Sequence, residues 1–116
     1  MVDVTRDVAS AVAASGAEHG IVTIFVPHTS AAVTLNENAD PDVPRDWLLW
    51  MREMVPQSAA FRHAEGNSDA HIKASLVGNT VQVPLVELRL RLGRWQAIYF
   101  CEFDGPRQRQ FEVSVG

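Results

Sequence analysis

Cysteine is nearly absent. The 116-residue chain has one, Cys101, which excludes an intrachain disulfide and any Cys-rich zinc cluster and fits a reducing compartment, so the cytoplasm is the expected location. No run of about 18 apolar residues occurs, and no membrane span is predicted. A basic excess is missing too: 10 Lys and Arg stand against 14 Asp and Glu, for a formal charge of −4 and a pI near 5.4. Nucleic acid and anionic membranes are therefore poor partners. The opening MVDVTRDVAS lacks the basic and apolar regions of a signal peptide. With no repeat, low-complexity tract or linker, residues 1–116 read as one domain.

What is present is an ordinary apolar fraction of 47 %, with three Trp and five Phe, in a domain small enough to gain from oligomerisation. Val4, Val8, Ala11 and Val12 recur at helical spacing between Thr5, a candidate N-cap, and Gly16. IVTIFV after Gly20 has apolar side chains facing both ways, as in a buried strand. Residues 31–35 predict a second strand, ending at Asn36-Glu37-Asn38. Asp42 can cap a helix whose Val43, Trp47, Leu48, Met51 and Met54 share a face, with Trp50 off it and free to meet another subunit. Residues 57–67 read as loop, and a short helix runs from Ser68 or Asp69 to Val77. Thr80 to Val86 resumes strand character, which Leu88, Leu90 and Leu92 continue. Residues 95–104 are the longest, central strand, and Asp104-Gly105-Pro106 turns it into a hairpin with residues 107–115. The class is α+β, with a mostly antiparallel sheet and two or three short helices.

The densest polar chemistry lies in HAEGNSDAHIKASLVG, residues 63–78, where His63 and His71 flank a Gly-Asn-Ser-Asp turn. His28 stands upstream in PHTS. Three imidazoles with an open coordination position suit zinc, although each could separately cap a turn or lie at the surface, as His19 is expected to do. Glu37, Glu65 and Asp69 could orient imidazoles, ligate a hard cation such as magnesium, or act as general bases. Capping is the plainer role for Asp69, and a turn hydrogen bond for Glu37. Arg107 and Arg109, two apart, face one side of a strand and could clamp a phosphate; alone, either could simply charge a strand edge. Lys73 is a weaker member of that anion set, on a different side of its helix from His71. Cys101, inside the most apolar strand, reads as inert packing.

PHTSAAVTLNENADPDV, HAEGNSDAHIKASLVG and LGRWQAIYFCEFDGPRQR occur in that order, and together they resemble the YjbQ-like family, often labelled secondary thiamine-phosphate synthase, over residues 20–115. The resemblance implies a compact sheet-rich α+β domain, commonly a homotrimer, whose motifs converge on a polar pocket. It implies His28, His63 and His71 as ligands of a metal such as zinc, and it sets Glu37, Asn38, Glu65, Asn67, Asp69, Arg107 and Arg109 on the remaining polar motif positions. The label implies joining a hydroxymethylpyrimidine diphosphate to a thiazole phosphate with loss of pyrophosphate. Two departures stand out. The chain looks shortened at its amino terminus, with an edge strand missing. Leu88 and Arg94 stand where Gly and Thr are more usual, which bears on packing beside the central strand.

Two functions follow as expectations. The first is a metal-dependent enzyme acting on a phosphorylated small molecule, with Glu37 and Asp69 as catalytic carboxylates. The second is a trimeric binding module that holds metal or an anionic metabolite without turnover.

Overall fold

Strands whose alternate residues are valine, isoleucine, leucine and alanine make two antiparallel sheets, and the expected α+β class is the one found. The computed structural model describes residues 1–116. The elements are β1 (Val2–Asp3), α1 (Thr5–Ser15), β2 (Gly20–Phe25), β3 (Ala31–Glu37), α2 (Asp42–Met54), α3 (Ser68–Val77), β4 (Thr80–Val86), β5 (Arg89–Leu90), β6 (Gln96–Glu102) and β7 (Glu112–Val115). One sheet has the order β1-β6-β3, the other β5-β4-β2-β7. None of the helices is long and apolar enough to cross a membrane.

The core lies between the sheets. Val22 and Ile24 of β2 and Val83 and Leu85 of β4 meet Ala31 and Val33 of β3 and Ile98 and Phe100 of β6, with Val8 and Val12 of α1 closing the cluster. Each large apolar side chain so buried contributes roughly 1.5–3 kcal/mol. Helix α1 ends at Gly16, whose φ of 76° is the left-handed conformation that glycine adopts freely. Its amino end is held one step earlier than expected. Asp3 Oδ1 accepts from both the backbone N–H and the hydroxyl of Thr5, at 2.9 and 2.6 Å, while Thr5 Oγ1 accepts the Ile98 N–H. Asp40 likewise takes the capping role expected of Asp42, accepting its N–H at 2.9 Å.

Other expectations are corrected by which faces are covered. Strand β2 is buried on one face only: Val22 and Ile24 are inside, Ile21 and Phe25 exposed. On α2 only Met51 is buried, with Trp47 stacked on Phe103 at 6.2 Å, and Met54 is exposed with Leu49 and Trp50. Strand β6 is central in its sheet, as expected, and Cys101 within it is buried.

Residues 88–92 do not continue β4. The chain reverses at Glu87 and Leu88, both at positive φ (50° and 70°), and Arg89 pairs back on Val86. This is the geometry of a two-residue turn that favours glycine, so Leu88 occupies a strained position.

The predicted hairpin of β6 with the carboxyl-terminal strand is absent. Strand β7 pairs with β2 in the other sheet, Val115 opposite Val22, so residues 103–111 cross between sheets. Side chains replace the missing strand partner. Gln110 N and O lie 3.0 and 3.1 Å from His28 Nε2, and Arg109 gives two 2.7 Å hydrogen bonds to the Glu102 carboxylate and one of 2.8 Å to Ser30 Oγ. One of the two Gln110 main-chain groups, the N–H or the carbonyl according to the His28 tautomer, is satisfied in this way.

Two consequences are measurable. Leu88→Gly removes a strained exposed side chain, worth about 1–2 kcal/mol in left-handed backbone, against about 0.5–1 kcal/mol of added chain entropy. It is expected to raise the melting temperature, and a lower value would contradict this account of the turn. The Arg109 hydrogen bonds hold the Glu102 carboxyl below its ordinary 4.5, overcoming the opposing effect of burial. Its contribution is then complete above pH 4.5 and lost as pH falls through the lower folded value. Glu102→Gln should cost about 2 kcal/mol at neutral pH, in chemical denaturation, with the deficit closing on acidification below 4.5. A deficit independent of pH would contradict the ion-pair origin.

Candidate functional site

Two crossings between the sheets lie side by side at one end of the sandwich: residues 26–30, from β2 to β3, and residues 103–111, from β6 to β7. Their neighbourhood follows from register, since Ala31 faces Glu102 across β3 and β6, and Phe25 faces Glu112 across β2 and β7. His28 and Gln110 join them. The amino end of α3 and the loop before it meet the same end, where His71 Nδ1 donates to Thr29 O at 2.9 Å. A carbonyl can only accept, so this bond puts a proton on Nδ1 and makes Nε2 the nitrogen that carries the lone pair when the ring is neutral. His63 meets the His71 ring edge-on, centroids 5.3 Å apart.

These groups line a polar cavity of about 360 Å³ that also takes in Glu65, Asn67, Asp104, Arg107 and Arg109. The structure thus brings His28, His63, His71, Glu65, Asn67, Arg107 and Arg109 of the sequence-predicted set to one place. A second cavity of about 450 Å³ shares the wall made by His28, Thr29 and His71 and continues along α3 to Ser75 and Asn79.

The charges are arranged in pairs. Arg107 donates to the Asp104 carboxylate at 2.9 Å and lies 3.9 Å from Glu65; its side chain is 49 % exposed, against 12 % for Arg109, which Glu102 holds. Counting Glu102 behind Arg109, three carboxylates outnumber two guanidinium groups. The Asn67 side-chain amide, donating to Asp104 Oδ2 at 2.6 Å, holds the Asp104 carboxyl below its ordinary value, with Arg107 adding to the effect against partial burial. No three His, Cys, Asp or Glu side chains stand close enough to enclose a metal ion as they are. The donor set nevertheless suits one. His71 has its second nitrogen turned to a main-chain carbonyl, as metal-binding imidazoles do, and in the tautomer where His28 Nε2–H donates to Gln110 O, the His28 Nδ1 lone pair is free.

Four predicted residues lie elsewhere. Glu37 and Asn38 are at the far end of β3, about 20 Å along a strand rising roughly 3.3 Å per residue. There the Glu37 carbonyl accepts from the Tyr99 hydroxyl, and Asn38 donates to Asp3. Asp69 and Lys73 pair with each other at 3.0 Å, four residues apart on α3, and Lys73 lines a different recess with Leu48, Met51 and Phe103. Cys101 does not reach the cavity, and desolvation pushes its thiol up to about 12. His19 is exposed. Asp104, Glu102, Ser30 and Gln110 were not singled out in the sequence. A signal existed: Glu102 and Asp104 stand two apart before the Gly-Pro turn, as Arg107 and Arg109 do after it.

Comparison with known proteins agrees with this architecture. A family described as "UPF0047 protein YjbQ-like" matches residues 1–116. The chain is 47 % identical over 115 residues to a UPF0047 protein of Methanocaldococcus jannaschii, covering 99 % of this chain and 83 % of the relative. It is 49 % identical over 116 residues to the UPF0047 protein YugU of Bacillus subtilis, covering 99 % and 88 %. A crystal structure of a YjbQ/UPF0047-family protein from Clostridium acetobutylicum superposes with a TM-score of 0.95 at 49 % identity, covering 98 % of this chain and 88 % of that one. A conserved hypothetical protein from Thermus thermophilus gives 0.91 at 44 %, covering 98 % and 89 %. These names carry no activity, and the thiamine-phosphate synthase label is not among them. Motifs, fold and full-length similarity together make the chain a member of the YjbQ-like UPF0047 family.

Proposed function

We propose that the protein is a metal-dependent enzyme acting on a phosphorylated small molecule, in the cavity where the three histidines and Arg107 meet. The observation that carries this reading is the His71 hydrogen bond to Thr29, which commits Nδ1 and leaves Nε2 as the nitrogen for a metal, beside His63 and the half-exposed Arg107. His28, His63 and His71 are the residues that would hold a zinc ion, which when bound supplies Lewis acidity toward a phosphate oxygen or water; magnesium entering with a diphosphate is the other cation of suitable chemistry. Arg107 supplies paired N–H donors at the cavity rim, and Arg109, committed to Glu102, stiffens the wall behind it. Glu65 and Asp104 are the carboxylates of a single chain that stand at the cavity; in this reading Glu65 accepts a proton there, while Asp104 positions Asn67 and Arg107.

The specific reaction to try first is the union of hydroxymethylpyrimidine diphosphate with thiazole phosphate, releasing pyrophosphate. Pairing of both arginines with carboxylates bears on it, because a diphosphate then needs an added cation to balance its charge. The binding-module reading draws on a different observation: the cysteine is inert, and the Ser30 hydroxyl is taken up by Arg109, so the cavity holds no activated nucleophile. A trimer in either reading draws on the exposed apolar residues Ile21 and Phe25 of β2 and Leu49, Trp50 and Met54 of α2, side chains that a neighbouring subunit would cover.

Metal content per chain tests the proposal. Protein prepared without chelator and assayed by plasma mass spectrometry should hold near-stoichiometric zinc or another divalent transition metal, falling at least tenfold in a His63→Ala/His71→Ala double variant that keeps its circular dichroism. Equal metal in both proteins would contradict the three-histidine site.

A further inference from the structure

Asn67 stands at the N-cap of α3 but does not cap it. In that position an asparagine side-chain oxygen ordinarily accepts an N–H from the first turn. Here no such bond forms: the Asp69 N–H goes to Gln57 Oε1 at 3.3 Å, and the Ala70 N–H to the main-chain carbonyl of Asn67 at 3.1 Å. The amide is instead turned to Asp104, with Nδ2 donating at 2.6 Å.

That bond also fixes which way round the amide lies. A carboxylate only accepts, and Asp104 is ion-paired with Arg107 at 2.9 Å, so the atom facing it is the nitrogen. Oδ1 is thereby left over. The residue is 9 % exposed, and Oδ1 is the one buried side-chain polar atom without a partner. A buried acceptor in this state has given up its bond to water without a replacement, which destabilises the arrangement. Asn67 lines the same cavity as Arg107, and the two side chains end on a single oxygen of Asp104, at 2.6 and 2.9 Å.

We propose that Asn67 Oδ1 is a ligand-binding group, reading an N–H or O–H donor on the molecule the cavity takes, close to the anionic group that Arg107 receives. The inference rests on the phosphorylated-ligand reading and adds to it a substrate class: phosphate esters that carry a hydroxyl or amino group a few bonds from the phosphorus. A ligand with a donor there satisfies Oδ1, whereas one with a methyl group leaves it unpaired.

Calorimetric titration of zinc-equilibrated protein with inorganic phosphate and two matched pairs, ethyl with 2-hydroxyethyl phosphate and propyl with 3-hydroxypropyl phosphate, tests it. At least one hydroxylated ester should bind about tenfold tighter than its alkyl partner, and that preference should fall to near unity in Asn67→Ala and Asn67→Ser, with inorganic phosphate still bound. If both pairs bind with equal affinity to the unaltered protein while inorganic phosphate binds, the donor-reading role is overturned and the anion site stands. A preference that survives in both variants overturns the assignment to Asn67. Absence of phosphate binding in the unaltered protein overturns the anion-site reading itself, and the inference with it. Should Asn67→Ala fail to fold, Asn67→Ser and the paired titrations of the unaltered protein decide the question.

Discussion

The Arg109–Glu102 pair is the contact on which the arrangement depends. Glu102 ends the central strand of one sheet, and Arg109 lies in the segment that leaves for the other. Two hydrogen bonds of 2.7 Å between them, with a third to Ser30, tie the departing segment, which no ladder holds there, to the end of the β3–β6 ladder. His28 and Gln110 repeat the device a few residues away. Because these crossings are pinned side by side, Asp104 and Arg107 come to face His28, and the amino end of α3 has a surface to meet. Structure and site share the same bonds.

That sharing shapes the electrostatics. Sequence spacing makes Arg107 and Arg109 look like a matched clamp, but Arg109 is structural and Arg107 is already answered by Asp104. A cavity with three nearby carboxylates and two guanidinium groups has little charge to offer a phosphate by itself. It has imidazole nitrogens to offer a cation, and the cation in turn gives the anion its counter-charge. In this account the histidines and Arg107 work as one unit, and neither half explains the cavity alone.

Much of the fold was legible because local signals agreed with tertiary ones. Thr5 to Ser15, stopped by Gly16, and Ser68 to Val77, stopped by Gly78, carry their boundaries in the chain, and β6 carries an unbroken apolar run. What was illegible depends on partners distant in sequence. Strand β7 has the alternation of a hairpin arm, yet its partner is β2, and nothing local says so. Residues 88–92 keep a strand pattern through a reversal that only backbone dihedrals reveal. Within the site the histidine and arginine motifs pointed to one end of the sandwich. Glu37 and Asn38 share a strand with that end but lie at its opposite limit, and Lys73 lies on the right helix but faces away, neutralised by Asp69. Asp104 was hidden inside a turn sequence whose Asp-Gly-Pro chemistry already had a sufficient explanation.

The most direct test of the coupled cation and anion site is the affinity for pyrophosphate, measured by calorimetry with one equivalent of zinc and again after chelator and dialysis. The account predicts binding at least tenfold tighter with zinc present, and loss of that enhancement in Arg107→Ala. Equal pyrophosphate affinity with and without zinc would contradict it, because the arginines would then hold the anion without a metal.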